Sequence, residues 1–174
     1  MSKQLRKTIR DCTIPEYMID ILTGGFCDCF LRMSILHENR TYVFSYDTSY
    51  YDGISMKDLS PQELLELTNT LIKIKTTCEN HLISAEDFMI EPACLWKRSG
   101  MAICVGLRLA FVPDPSRRPF CEKLLAIMER LRYDSGSGED ELLNRAREEL
   151  KRGDLRRAEA LLERIRSKYN THGL

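Results

Sequence analysis

Residues 41–80 read TYVFSYDTSYYDGISMKDLSPQELLELTNTLIKIKTTCEN. Tyr42, Phe44 and Tyr46 alternate with smaller or polar residues, the period of a strand with one buried face. Thirteen residues later the pattern changes. Ser60, Pro61 and Glu63 form a capping box with proline at the first helical position. Leu64, Leu67, Leu71, Ile74 and Cys78 then recur at helical spacing, and Leu65 and Ile72 widen the stripe. A strand of period two followed by a long one-sided helix predicts an α+β architecture, an antiparallel sheet covered by helices.

Working upstream, FCDCFLRMSIL (26–36) reads as the strand that pairs with 41–47 across the turn His37-Glu38-Asn39-Arg40. IPEYMIDILTGG (14–25) reads as about two helical turns stopped by Gly24-Gly25. Before it, Lys3, Arg6, Lys7 and Arg10 face only Asp11, which predicts a solvated basic tail over residues 1–13. Downstream, FMIEP (88–92) and CLWKR (94–98) read as short extended pieces. The apolar run ICVGLRLAFVP (103–113) reads as a strand, and PFCEKLLAIMERLRY (119–133) as a helix. Trp96-Lys97-Arg98 has the look of an edge strand guarded by charge.

Asp134-Ser135-Gly136-Ser137-Gly138 has the composition of a flexible linker and divides an α+β domain (14–133) from a helical hairpin (139–174). In the hairpin, Gly153 suits the left-handed residue that ends one helix and Asp154 the cap of the next. Leu142, Ala146, Leu150, Leu155, Ala158, Leu162 and Ile165 make a stripe too apolar to stay in water. They are the predicted interaction residues, docking on the first domain or on a second chain as a homodimer.

Composition narrows function. Lys plus Arg equals Asp plus Glu at 26 each, so no global field draws the chain to nucleic acid. No apolar run is long enough to span a bilayer. Seven cysteines at irregular spacing, with no export signal, predict a reducing compartment, the cytoplasm. Cys27 and Cys29 share a face if extended and could meet one ion, but no second Cys or His pair at ligand spacing supports them. Metal and cofactor are therefore both expected to be none, with the thiols acting as small hydrophobes. No nucleophile elbow, phosphate-binding glycine loop or zinc-helix motif is present. Asp47 and Asp52, beside Tyr46, Tyr50 and Tyr51, would be the residues of an enzyme of unknown class, but such a loop reads first as a turn. No catalytic residue is predicted.

The hairpin resembles one tetratricopeptide-type repeat through Ala146, Gly153 and Ala158, with Leu150 and Leu162 at the positions of its larger hydrophobes. Through YMIDILTGG, YVFSYDTS, HLISAEDFMIEP and the strand reaching Phe111-Val112-Pro113, residues 15–133 resemble the uncharacterised amino-terminal domain of forkhead-associated-domain proteins in Gram-positive bacteria. That domain is similar in outline to the amino-terminal lobe of kinases and to the pseudokinase-like domain of type VII secretion proteins. The chain lacks a kinase's glycine-rich loop, its V-A-I-K lysine, and its H-R-D and D-F-G motifs. The resemblance thus implies a non-enzymatic regulatory or scaffold module of bacterial signalling or secretion that binds a protein partner. The alternative it leaves is a small-ligand or nucleotide sensor.

Overall fold

The computed structural model describes residues 4–171; Lys3 of the basic segment and His172 lie outside them. The fold is α+β, with two small antiparallel sheets and a carboxy-terminal helical hairpin. The first sheet contains β1 (Gln4–Arg10), β3 (Thr41–Asp47) and β2 (Met33–Glu38), with β3 in the middle. Tyr42, Phe44 and Tyr46 are all buried on one face of β3, as their alternation predicts. Asn39 and Arg40 both have positive φ, the geometry of a tight hairpin turn whose twist matches the strands it joins.

The basic segment departs from its expected role as a solvated tail. It forms β1, paired with β3 in the register Gln4↔Asp47 through Arg10↔Thr41. Leu5, Lys7 and Ile9 lie half-buried on one face while Arg6, Thr8 and Arg10 face solvent. The Lys7 ammonium, 3.9 Å from Cys94 Sγ, occupies the inner face between two hydrophobes. That cation hides the alternation from a sequence reading. The charge outside suits an edge strand.

The second sheet runs β4 (Tyr51–Gly53), β5 (Leu95–Arg98), β6 (Leu107–Leu109). Trp96 is therefore on a central strand, because the three-residue β4 within the expected 48–60 loop covers what would have been its open side. The run 103–113 is also divided. Its first residues make one helical turn, α3 (Ile103–Gly106), which buries Ile103 and exposes Cys104 and Val105. A Cβ at Gly106 would lie 3.1 Å from the Cβ atoms of Arg98 and Met101 and 3.2 Å from the Arg98 nitrogen, so any larger residue here must push its neighbours apart by a few tenths of an ångström. Likewise β2 begins at Met33, not at Phe26. The segment before it turns, and only Phe30 makes a bridge, to Leu109.

The first two helices follow the sequence closely, whereas the helix expected over 119–133 ends at Met128. α1 is Glu16–Gly24, ended by Gly25 in the left-handed conformation. α2 (Pro61–Asn80) carries the full Ser60/Glu63 capping box, and Leu64, Leu67, Leu71, Ile74 and Cys78 are buried along it. It packs against α3, against α4 (Phe120–Met128) and against α6 (Leu155–Thr171), the second helix of the hairpin. The two sheets meet over an aromatic cluster in which Phe30 stands edge-on to Phe88 and Phe111 at 5.2 and 5.5 Å. The buried Tyr46 hydroxyl donates to the Phe111 carbonyl and ties β3 to the segment that follows β6.

The 134–138 segment acts as a fitted turn between packed helices. Ser137 caps α5 (Gly138–Lys151) through the Asp140 amide, and Gly136 takes the positive φ the turn needs. α5 packs on α4 and α6 on α2, so the hairpin closes one continuous core with the first domain. Gly153 has φ +79°, and the Asp154 carboxylate caps α6 by accepting from the Arg157 amide. Arg147 reaches across to donate to the carbonyls of Met128 and Leu131, at 3.0 and 2.6 Å, at the end of α4 and just beyond it. Among the described residues no helix is long and apolar enough to cross a membrane.

Candidate functional site

An open groove of about 920 Å³ lies where the end of α1, the start of β2 and the second sheet approach one another. Its wall includes Gly24 and Gly25, which end α1, and Asp28 on the turn beyond. Arg32 precedes β2, Arg98 ends β5 and Arg108 lies within β6. Tyr50 and Tyr51 close the other side, with Tyr50 largely exposed. Three cations thus come from three separated stretches of chain to one concavity.

Two carboxylates share it, Asp28 and Asp47. Asp47 is already engaged: its carboxylate accepts from the Ser49 amide at 3.0 Å. Hydrogen bonds from Ser49, with the charge of Arg32 adding to them, hold its pKa below the usual carboxylate range. Arg108 donates to the Leu107 carbonyl. Among the described ion pairs none involves Arg32, Arg98 or Arg108. Asp52 stands apart, its carboxylate accepting from the Ser99 hydroxyl at 2.7 Å and fastening β4 to the turn after β5. Asp47 and Asp52 therefore serve turn and strand geometry here.

Cys27, one of the residues lining the groove, joins two other thiols. The Sγ atoms of Cys27, Cys29 and Cys78 all lie within 4.8 Å of one another, and all three residues are buried. Hydrogen bonds from Cys29 and then Cys78 favour the thiolate at Cys27 and pull its pKa far down, while its partners are pushed up and keep their protons. The close pair Cys27/Cys29 was legible in the sequence. Cys78 was legible only as the last apolar residue of the α2 stripe, and nothing in its spacing points back to the pair.

The predicted interaction stripe sits elsewhere. Leu142, Ala146, Leu150, Ala158, Leu162 and Ile165 are buried within the chain and Leu155 packs half-buried beside them. Their apolar surface is thus spent on intramolecular docking, and a partner reaches them only if the hairpin lifts off. Comparison with protein-family models and with curated proteins finds no match.

Proposed function

We propose that the chain is a non-catalytic protein-binding module of regulatory or scaffold type, and that its groove holds an acidic segment of a partner protein. The observation that supports this reading is the convergence of Arg32, Arg98 and Arg108 on one open concavity flanked by Tyr50 and Tyr51. Guanidinium groups grip carboxylates in a fixed, often two-pronged geometry, and the exposed Tyr50 adds contact area at low entropic cost. The unpaired thiols fit a reducing setting such as the bacterial cytoplasm. Because the hairpin stripe is covered within the chain, this reading needs no homodimer through it.

The test is fluorescence anisotropy with labelled glutamate-rich peptides over a range of salt. Binding should weaken as salt rises and should be lost in Arg98→Glu and Arg108→Glu. Failure of every acidic peptide, or equal binding by the charge-reversed variants, rejects the reading. The groove volume also falls within the range of small-molecule pockets, which favours the nucleotide-sensing alternative as second choice. A nucleotide at a hundred times its dissociation constant would stabilise the chain by about 2.7 kcal/mol in thermal unfolding.

A further inference from the structure

We propose that Cys27, Cys29 and Cys78 form a binding site for one soft, thiophilic d10 metal ion, zinc(II) or copper(I). The inference rests on the thiol cluster alone and stands whether or not the groove takes an acidic segment.

Three thiolates around one ion at about 2.3 Å place their sulfurs about 3.8–4.0 Å apart. The three Sγ atoms here all fall within 4.8 Å, so rotamer adjustments of well under an ångström bring them onto an ion. Backbone hydrogen bonds hold them in place from both sides. The Leu109 amide donates to the Cys29 carbonyl at 2.8 Å and the Leu31 amide donates to the Leu109 carbonyl at 2.9 Å, clamping the Cys27–Cys29 turn onto β6. The Cys78 carbonyl accepts from both the His81 and Ile83 amides at 2.9 Å, fixing the end of α2.

Three sulfur donors select soft ions over magnesium, calcium or manganese. A disulfide would use two of these thiols and leave the third without a role; an ion uses all three. Three thiolates satisfy copper(I), whereas zinc(II) adds a fourth donor, which solvent from the groove supplies because Cys27 lines it. Each thiol that ligates releases its proton to solvent.

The test uses the full chain, reduced and metal-free under argon. It is titrated with zinc(II) against a chromophoric chelator and, separately, with copper(I) against bathocuproine disulfonate. One equivalent of at least one ion should be retained; the ion retained names the metal. Affinity should fall at least tenfold in Cys27→Ser and Cys78→Ser and stay unchanged in Cys104→Ser, whose thiol is exposed and outside the cluster. A second measurement needs no variant. With ion bound, mass spectrometry after iodoacetamide treatment should show Cys27, Cys29 and Cys78 protected together while Cys104 reacts freely. Retention of neither ion, parental affinity in Cys78→Ser with its fold intact, or alkylation of the three thiols at rates indifferent to metal overturns the proposal.

Discussion

The Lys123 ammonium lies 3.0 Å from the Asp114 carboxylate, with both side chains shut away from solvent. Lys123 also donates to the carbonyls of Ala85, Glu86 and Phe88, and Asp114 accepts from the Ser116 amide and hydroxyl. A buried pair gains little over well-packed hydrophobes, but removing Lys123 leaves the Asp114 carboxylate only its Ser116 hydrogen bonds and the half-exposed Arg118 guanidinium at 3.6 Å. This pair stitches α4 to the 85–88 loop and to the strand-like segment that ends at Pro113, so both loops depend on it. Lys123→Met should therefore cost about 3–5 kcal/mol, read as a lowered midpoint in urea at pH 7. A loss under 1 kcal/mol would show that the cation is dispensable.

The same pair sets the acid limb of stability. Burial alone would raise the Asp114 pKa. Hydrogen bonds from Ser116 and Lys123, with the Lys123 charge, overcome it and hold the value at about 2, against 3.8 in a free side chain. A carboxylate depressed on folding contributes stability above its unfolded value and loses it as pH falls through its folded one. Asp114 should thus contribute about 2 kcal/mol at neutral pH, lost between about pH 4 and pH 2. Urea unfolding at pH 5, 4, 3 and 2 should show this decline in the parent and a flatter one in Asp114→Asn, which starts from lower stability. Parallel curves for the two proteins would remove Asp114 from the account.

What the sequence disclosed was local. The Ser60/Glu63 box, the alternation of Tyr42, Phe44 and Tyr46 and the Gly153-Asp154 joint are each set by interactions within a few residues and stand as predicted, while the expected turn over 37–40 narrows to Asn39-Arg40 as His37 and Glu38 join β2. What it concealed was set at a distance. Lys7 occupies an inward position of β1 because Cys94 and the neighbouring core leave room for its stem. The run from Ile103 splits into a helical turn and a strand, with Gly106 packed close against Arg98 and Met101 from elsewhere in the chain. The groove arginines and the third thiol come from stretches whose meeting is a property of the tertiary fold. The Ser-Gly segment read as a flexible joint because composition cannot show that Ser137 caps a packed helix.

β1 should matter more than a charged tail would. Deleting residues 1–10 removes the ladder on one side of β3 and uncovers Tyr42 and Phe44 at that edge. The truncated chain should unfold at a clearly lower temperature and expose an aggregation-prone strand edge, measured by calorimetry together with light scattering. An unchanged transition would mean that β1 contributes nothing to the sheet.

The hairpin is the last dependence. Leu162 is fully buried where α6 meets the rest of the core, and Arg147 on α5 adds hydrogen bonds to the Met128 and Leu131 carbonyls. An uncompensated carboxylate at Leu162 faces a large desolvation cost, while truncating Arg147 removes two charge-assisted hydrogen bonds and leaves the Met128 carbonyl to the Leu131 amide and the Leu131 carbonyl to the Arg132 guanidinium. Leu162→Asp should therefore detach the hairpin. Hydrogen exchange across 139–169 should become fast, and protection should also fall on the α2 and α4 faces that the hairpin covers. Arg147→Ala should have the same pattern at a milder level, about 1–3 kcal/mol of lost protection. Because the stripe packs within the chain, light scattering should give a monomeric mass for the parent. A dimer that dissociates on Leu162→Asp would mean that hairpins exchange between chains, and unchanged exchange across 139–169 in that variant would show that the hairpin does not depend on this contact.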